Sequence, residues 1–173
     1  MKYFKLPQLK LSCLVFICAT LLVFNAFAEQ QPSHFKLGSY QKILQQNEQQ
    51  PFLMVLWSLD CMPCIKELKM LGEFHQQYPQ HKLVLISTDS KNQSDDIIQL
   101  IREYRLQTVE QWVFDGSFQY LRHSIDPSWY GELPRGYFFK RDQSRIASSG
   151  RLHQNQLMQY FSEDIKTTGS KTL

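Results

Sequence analysis

The sequence predicts an α/β fold in which a mixed central sheet is covered by helices on both faces. Two mainly apolar runs, 52–58 and 82–88, have the length and composition of strands that are buried on both sides. Each run is followed by apolar residues at helical spacing, which predicts parallel strands joined by right-handed crossovers. Further along, 136–140 and 145–149 flank a polar turn, which predicts a β-hairpin.

The remaining elements follow from apolar spacing and from residues that begin or end helices. Helices are expected at 39–44, from Cys61 to about 78, at 94–105, at 117–124 and at about 154–165. A short third strand is expected at 111–114. Ser94 is expected to cap its helix, and Pro79 cannot continue the helix that precedes it.

Length and composition predict one domain with a substantial core. The chain has 173 residues, of which 43% are hydrophobic and 20% are charged, as in ordinary globular proteins. Residues 39–166 are expected to form this domain, with a flexible segment at 29–38 and a tail at 167–173.

The first 28 residues have the pattern of a secretory signal peptide. Three lysines precede an apolar run, 11–24, which ends in Asn25-Ala26-Phe27-Ala28. This pattern predicts cleavage after Ala28 and export. The alternative is an uncleaved membrane anchor, although the run is short for a span of about 20 residues. Either interpretation places the domain in the periplasm or on the outer face of the cytoplasmic membrane.

Removal of this leader would change both the charge and the cysteine count. The formal charge of +3 comes from the three lysines of the leader, so the mature chain is near neutral. A neutral chain gives no electrostatic reason to expect nucleic acid as a partner. Of the four cysteines, only Cys61 and Cys64 remain, which is not the pattern of a scaffold held by several disulfides.

Cys61-Met62-Pro63-Cys64 is the candidate redox site. The pair lies between a buried strand and a helix, an arrangement typical of a dithiol that exchanges disulfides. At a helix N-terminus, free N–H groups and the helix dipole stabilise a Cys61 thiolate, which would attack a substrate disulfide. Cys64 would then resolve the mixed disulfide. Pro63 suits an early helical position, because the N–H that it lacks would have no partner there.

Two other interpretations fit a single Cys-x-x-Cys pair. A structural disulfide between cysteines three positions apart closes too small a loop to stabilise the fold much. Two thiolates beside Met62 are soft enough for Cu(I), whereas zinc would need two further ligands. A copper-binding maturation factor therefore stays open as an alternative, while the redox function itself needs no metal and no other cofactor.

Residues 57–67 have the sequence Trp-x-x-x-Cys-x-Pro-Cys-x-x-Glu, which resembles the thioredoxin fold and, within it, the TlpA/ResA-like family of exported thiol–disulfide oxidoreductases. Residues 131–134, Gly-Glu-Leu-Pro, are similar to the cis-proline loop of that family. They are followed by the hairpin, Gly150 and a final helix, which match the closing elements of the family. The resemblance covers about residues 39–165 and implies a thioredoxin-like three-layer sandwich.

The resemblance also suggests which residues tune the cysteines. Glu67 would assist proton transfer, although an exposed helix acid paired with a neighbouring lysine is an equal alternative. Thioredoxin has a buried acid where this chain has Val55, so Glu67 is the candidate proton acceptor. Asp60 stands where the family usually has an aromatic residue. A carboxylate beside Cys61 would oppose the thiolate and make the protein a stronger electron donor.

The substrate-binding residues are also implied by the resemblance. Pro134 would be the cis-proline, and the backbone of Leu133 would pair with an extended substrate segment. Further substrate contacts are expected from Met62, Pro63 and Trp129. Tyr130 and Arg135 would also shape substrate choice. For Trp129 and Tyr130, packing within the loop is the alternative.

The function predicted from the sequence is that of an exported thiol–disulfide oxidoreductase. Proline directly before the second cysteine resembles the reducing members of the family, which favours a disulfide reductase. The expected partners are a disulfide-bearing envelope protein as substrate and a membrane electron donor that restores the dithiol. A chain of this length has no room for the dimerisation domain of disulfide isomerases, so a monomer is expected. A general dithiol oxidase is a further alternative.

Overall fold

The computed structural model describes residues 31–169, which contain six strands and five α-helices. The strands are β1 (Ser33–Phe35), β2 (Phe52–Trp57), β3 (Lys82–Ser90), β4 (Glu110–Phe114), β5 (Arg135–Phe139) and β6 (Arg145–Ser149). The helices are α1 (Ser39–Gln46), α2 (Met62–Gln77), α3 (Ser94–Glu103), α4 (Phe118–Ile125) and α5 (Gln154–Gly169). The predicted α/β class is confirmed.

The strands form one mixed sheet in the order β1-β4-β3-β2-β5-β6. The first four strands in this order are parallel, whereas β5 and β6 pair in the antiparallel direction. Parallel pairs need crossover helices, while the antiparallel pair β5–β6 needs only the short polar turn that the sequence contains. Because β2 pairs with β3 on one side and β5 on the other, its carboxyl end lies in the middle of the sheet edge.

Alternate residues of β2 enter two separate cores, one on each face of the sheet. Its odd-numbered residues pack with side chains of α2, α3 and α5. Its even-numbered residues pack with side chains of α1, α4 and β1. A strand covered on both faces has to be apolar throughout, and all six residues of β2 are buried. The expected three-layer arrangement is therefore present.

Strand β1 was not predicted from the sequence. It lies within the segment 29–38 that was expected to be flexible, yet it pairs with β4 from Ser33–Trp112 to Phe35–Phe114. Phe35 is fully buried, and its ring stacks on Phe114 with the centroids 5.3 Å apart. A three-residue edge strand with one buried side chain has no detectable alternation, which explains why the prediction was wrong.

The helix boundaries differ from the predictions by a few residues. Gln93, and not Ser94, occupies the N-cap position of α3, because a 3₁₀ helix at Lys91–Gln93 precedes it. Helix α5 continues to Gly169, so residues 167–169 belong to a helix and not to the expected tail. The predicted leader, residues 1–28, lies outside the described residues. Within residues 31–169, no helix combines the length and apolarity that a membrane span requires.

Candidate active site

The two cysteines lie where β2 ends and α2 begins. Cys61 is the N-cap residue of α2, with an extended backbone (φ −100°, ψ 93°), and its Sγ accepts a hydrogen bond from the Cys64 N–H at 3.2 Å. Pro63 lies in the first helical turn, where a missing N–H costs no hydrogen bond. The two cysteines form a disulfide, with their Cα atoms 5.2 Å apart. The Cys61 sulfur is thus held at the positive end of a helix.

The two cysteines differ in their access to solvent. Cys61 is partly exposed, whereas Cys64 is 0% exposed and belongs to the core between the sheet and α2. Met62, between them, is 66% exposed, and Pro63 is also exposed. Another protein can therefore reach Cys61 but not Cys64. This is the difference that an attacking cysteine and a resolving cysteine require.

Glu67 is a buried carboxyl group one turn beyond Cys64 on the same face of α2. It is 1% exposed, so the alternative of an exposed acid paired with a lysine is wrong. Its Oε1 accepts a hydrogen bond from the Leu152 N–H at 3.4 Å, and its Oε2 has no hydrogen-bond partner among the described residues. Burial raises the pKa of Glu67 to about 7, against the opposing effects of the Leu152 N–H and the Arg151 charge.

Strand β2 contributes no acidic side chain near Cys64. Val55 is 1% exposed and packs in the same core as Cys64. The buried carboxyl group near the resolving cysteine therefore comes from α2, through Glu67, and not from β2. A pKa of about 7 allows Glu67 to accept or release a proton near neutral pH.

Pro134 lies beside the turn that carries the cysteines. The Leu133–Pro134 peptide bond is cis, and Pro134 is buried. The next residue, Arg135, pairs with Leu56 of β2, so the register places Pro134 beside Trp57, the last residue of β2. Leu133 is half-buried and contacts both core clusters. The structure therefore brings the predicted Leu133–Pro134 segment and the cysteine turn to the same edge of the sheet.

A buried polar network fixes the loop that leads to Pro134. The Asp126 carboxylate accepts hydrogen bonds from the Tyr137 hydroxyl at 2.9 Å and from the Ser128 hydroxyl at 2.6 Å. Arg135 and Arg145 approach the same carboxylate at 3.3 and 3.5 Å. Burial alone would raise the pKa of Asp126, but the hydrogen bonds from Ser128 and Tyr137 and the Arg145 charge bring it to about 2. The Arg135 side chain, expected to face the substrate, is thus directed into this network.

Trp129 does not contact the substrate-facing surface, contrary to the sequence prediction. Its side chain is 0% exposed, and its indole N–H donates to the backbone oxygen of Glu132 at 2.8 Å. It also packs edge-on against Phe118, with ring centroids 6.1 Å apart. Tyr130, the next residue, is 91% exposed. Trp129 anchors the loop in the core, and Tyr130 is the aromatic side chain that the loop presents to solvent.

The turn before Cys61 is attached to the end of β3 through Asp89, a residue that the sequence analysis did not identify. The Asp89 carboxylate accepts hydrogen bonds from the Ser58 hydroxyl at 2.8 Å, the Leu59 N–H at 2.9 Å and the Ser87 hydroxyl at 2.7 Å. A signal was present in the sequence, because Asp89 follows a buried parallel strand. The carboxyl ends of parallel strands share one edge of a sheet, and functional residues cluster there.

Within residues 31–169, no group of three or more His, Cys, Asp or Glu side chains is placed to hold a metal ion. Binding of Cu(I) would therefore depend on the Cys61 and Cys64 sulfurs, which are joined to each other in this structure. The two sulfurs would first have to be reduced.

Asp60, beside Cys61, is exposed, and its N–H donates to the Ser58 hydroxyl at 3.3 Å.

The fold is shared with several solved structures, whereas no protein-family model and no curated protein match the sequence. A secreted Mycobacterium tuberculosis disulfide oxidoreductase homologous to E. coli DsbE is 16% identical over 69% of this chain and 85% of that chain, with a TM-score of 0.56. StoA from Bacillus subtilis is 20% identical over 66% of this chain and 84% of that chain, with a TM-score of 0.50. A putative thioredoxin from Neisseria meningitidis is 11% identical over 73% of this chain and 82% of that chain, with a TM-score of 0.57.

At these identities, the likeness establishes the fold alone. The mixed sheet, the helices on both of its faces and the cysteine pair at the β2–α2 turn all agree with it. The chain has the thioredoxin fold found in DsbE- and StoA-type thiol–disulfide oxidoreductases, which matches the TlpA/ResA-like resemblance at the level of the fold.

Proposed function

We propose that this protein is an exported disulfide reductase that acts through the Cys61–Cys64 dithiol. The observation that carries the proposal is the difference between the two cysteines. Cys61 is accessible at the N-cap of α2, while Cys64 is buried one turn away and within bonding distance of it. The similar structures support it, because one is described as a disulfide oxidoreductase and another as a putative thioredoxin.

The reaction proceeds in two exchanges. In the reduced protein, the Cys61 thiolate attacks one sulfur of a substrate disulfide, forms a mixed disulfide with it and releases the other sulfur as a thiolate, which takes up a proton. Cys64 then loses its proton and attacks the Cys61 sulfur, which releases the second substrate sulfur. The substrate gains two electrons and two protons, and the protein ends as the Cys61–Cys64 disulfide.

Glu67 supplies the proton acceptor for the second exchange. Because Cys64 is buried, its proton has to leave through a neighbouring group or an ordered water molecule. Glu67 lies on the same face of α2 and has a free oxygen among the described residues, with a pKa of about 7. A carboxyl group with this pKa accepts a proton at neutral pH and returns it to solvent without a large cost in free energy.

The substrate binds across the exposed rim of the cysteine turn. Met62 and Pro63 form one side of this rim, and the backbone of Leu133 offers an edge along which an extended segment pairs. Tyr130 takes the place that the sequence analysis gave to Trp129, since Tyr130 is exposed. The preferred substrate is therefore a disulfide flanked by apolar residues in an extended or unfolded segment of an envelope protein.

The Cys61–Cys64 disulfide of a reductase has to be reduced again after each cycle. In an oxidising compartment the natural donor is a membrane protein that passes electrons to the Cys61–Cys64 disulfide. Export is supported by the leader pattern at residues 1–28 and by the description of one similar structure as secreted. The exposed Asp60 carboxylate beside Cys61 disfavours the thiolate and strengthens the protein as an electron donor.

The proposal is tested by trapping the substrate with Cys64→Ser. This variant retains the attacking sulfur and lacks the resolving one, so mixed disulfides with client proteins should accumulate and disappear on treatment with dithiothreitol. The matched control is the double variant that also carries Cys61→Ser, which should trap nothing.

Insulin reduction by the wild-type protein provides the second measurement. The reductase should accelerate it when dithiothreitol supplies electrons. Stoichiometric Cu(I) binding without insulin reduction would instead identify a copper-binding maturation factor. A pair that is fully disulfide-bonded in vivo and oxidises reduced substrates would identify a general oxidase.

A further inference from the structure

We propose that Asp89 is a positioning residue that sets the reactivity of Cys61 by holding the turn that precedes it. This inference rests on the proposed dithiol function and adds a residue to its machinery. Within residues 31–169, no hydrogen bond joins Asp89 to the sulfur of Cys61 or Cys64. It acts through the backbone and side chain of residues 58 and 59, which deliver Cys61 to the N-terminus of α2.

The Asp89 carboxylate is buried and uses both of its oxygens on this turn. Asp89 is 9% exposed. Its Oδ1 accepts from the Ser58 hydroxyl, and its Oδ2 accepts from the Leu59 N–H and from the Ser87 hydroxyl. All three donors are neutral. A buried carboxylate is costly to desolvate, and three short hydrogen bonds from fixed donors offset that cost only if the turn keeps this geometry.

The end of β3 is built to reach the turn. Ser87 pairs with Val113 of β4, but the next pair along is Ser90 with Phe114, so Thr88 and Asp89 are extra residues on β3. Bulges of this kind re-aim side chains, and they are common beside active sites. The Thr88 hydroxyl donates to the Trp57 oxygen at the end of β2 at 3.2 Å, and Asp89 accepts from Ser58 and Leu59 directly after it.

Ser58 transmits the position of Asp89 to Cys61. The Ser58 hydroxyl, bound to Asp89, also accepts from the Asp60 N–H at 3.3 Å. The Ser58 carbonyl oxygen accepts from the Cys61 N–H at 3.2 Å. These bonds hold Cys61 in the extended conformation of an N-cap residue, in which its Sγ meets the Cys64 N–H. A thiolate at that point is stabilised by the helix N-terminus, and a thiolate displaced from it is not.

Charge and geometry predict opposite effects when Asp89 is replaced. A negative charge near Cys61 disfavours the thiolate, so loss of the charge alone would make Cys61 more reactive. Loss of the turn geometry would make it less reactive. The positioning role therefore predicts that Asp89→Ala slows the reaction of Cys61. Asp89→Asn loses the charge but keeps the geometry, since an amide can accept from the Leu59 N–H and donate to the Ser58 oxygen, so Cys61 should react as fast as in the wild type or faster.

The test measures alkylation of Cys61 by iodoacetamide in the reduced full-length protein between pH 5 and 9. Asp89→Ala should react about fivefold or more slowly at pH 7, with its pH profile displaced to higher pH, because the thiolate is the reacting species. Asp89→Asn should react no more slowly than about half the wild-type rate. Asp142→Ala is the matched control, because Asp142 also binds a serine hydroxyl and N–H in a turn, but between β5 and β6.

Ser58→Ala keeps the proposal testable if Asp89→Ala does not fold. It removes the hydroxyl that Asp89 binds but leaves the Leu59 N–H bonded to Asp89, so it should slow alkylation in the same direction by a smaller factor. Unchanged or faster alkylation in Asp89→Ala, or in Ser58→Ala where that variant replaces it, would overturn the proposal. The proposal would also be overturned if Asp89→Asn reacted as slowly as Asp89→Ala. Alkylation needs no substrate disulfide, so absence of insulin reduction in the wild type would refute the proposed function without deciding this point.

Discussion

Glu67 connects the stability of the oxidised protein to pH. The pKa of its carboxyl group is about 7 in the folded chain and near 4.5 when the chain is unfolded, so the folded state binds the proton more tightly. The contribution of Glu67 to the free energy of unfolding is therefore fully present below pH 4.5 and is lost as the pH rises through 7. A shift of this size corresponds to roughly 3 kcal/mol of the free energy of unfolding.

Glu67→Gln should remove this pH dependence and make the oxidised protein more stable than the wild type at pH 8. The amide keeps the shape of the side chain but never has to carry a buried charge. Urea unfolding of both proteins at several values from pH 5 to 8 measures the difference. Glu73→Gln, an exposed position on the same helix, is the control and should follow the wild type. If the free energy of unfolding depended on pH in the same way for Glu67→Gln and the wild type, the expected burial of a charge at Glu67 would be contradicted.

Single residues were predictable where the chemistry depends on short spacing along the chain. The cysteine pair and Glu67 all lie within one helix, so their mutual positions follow from the helical repeat. Asp89 was missed because its turn partners lie 30 and 31 residues away. The predicted substrate contact of Trp129 was wrong because nothing local determines which of two adjacent loop aromatics, Trp129 or Tyr130, enters the core.

Helix α2 approaches the segment after α3 so closely that one position allows no side chain. A Cβ atom at Gly72 would lie 2.0 Å from the Tyr104 carbonyl oxygen, which belongs to the backbone and cannot rotate away. Gly72 is therefore the point at which the active-site helix packs against the rest of that layer.

Gly72→Ala should destabilise the protein by about 1–3 kcal/mol through overpacking. Helix propensity alone predicts the opposite sign, a gain of about 1 kcal/mol when alanine replaces glycine inside a helix. Urea unfolding at neutral pH distinguishes the two, and Lys66→Ala on the exposed face of α2 is the control. A stabilised Gly72→Ala protein would show that α2 can move away from Tyr104 at little cost.

Elements were predictable in proportion to their length and burial. The central strands β2 and β3 are continuous apolar runs between polar segments, and the β5–β6 hairpin has a polar turn between two strand-like runs. Strand β1 has three residues and one buried side chain, so its pairing with β4 is decided by the sheet and not by its own sequence. The bulge in β3 likewise leaves no local pattern.

At the scale of the whole molecule, two exposed apolar side chains belong to the proposed substrate-binding segments: Met62 lies in the cysteine turn, and Tyr130 lies in the loop that leads to Pro134. Neither is needed for packing, and a rigid tyrosine offers contact area at a low cost in conformational entropy. These side chains should matter for a protein substrate that covers the rim and not for a small disulfide that reaches only Cys61.

Tyr130→Ala should raise KM for a protein disulfide severalfold and leave turnover of a small aromatic disulfide unchanged. Steady-state kinetics with insulin and with the small disulfide measure the two effects. Leu37→Ala is the control, because Leu37 is similarly exposed but follows β1 at the far edge of the sheet. An equal loss with both substrates would mean that Tyr130 supports the loop and does not contact the substrate.

At the scale of the whole chain, the fold was more predictable than any of its individual contacts. The alternation of buried strands and amphipathic helices determines the layers, and many side-chain combinations satisfy that pattern. This explains how the fold is shared with proteins that are only 11–20% identical, while no family model matches the sequence.

The burial of Cys64 one turn from an accessible Cys61 also bears on chemical durability. A peroxide that reaches Cys61 converts its thiolate to a sulfenic acid, which a solitary thiol can lose irreversibly to further oxidation. Here the neighbouring Cys64 thiol would condense with the sulfenic acid, expel water and form the same disulfide that ends the proposed catalytic cycle. Oxidation of Cys61 would therefore return the protein to the disulfide that the proposed membrane electron donor reduces.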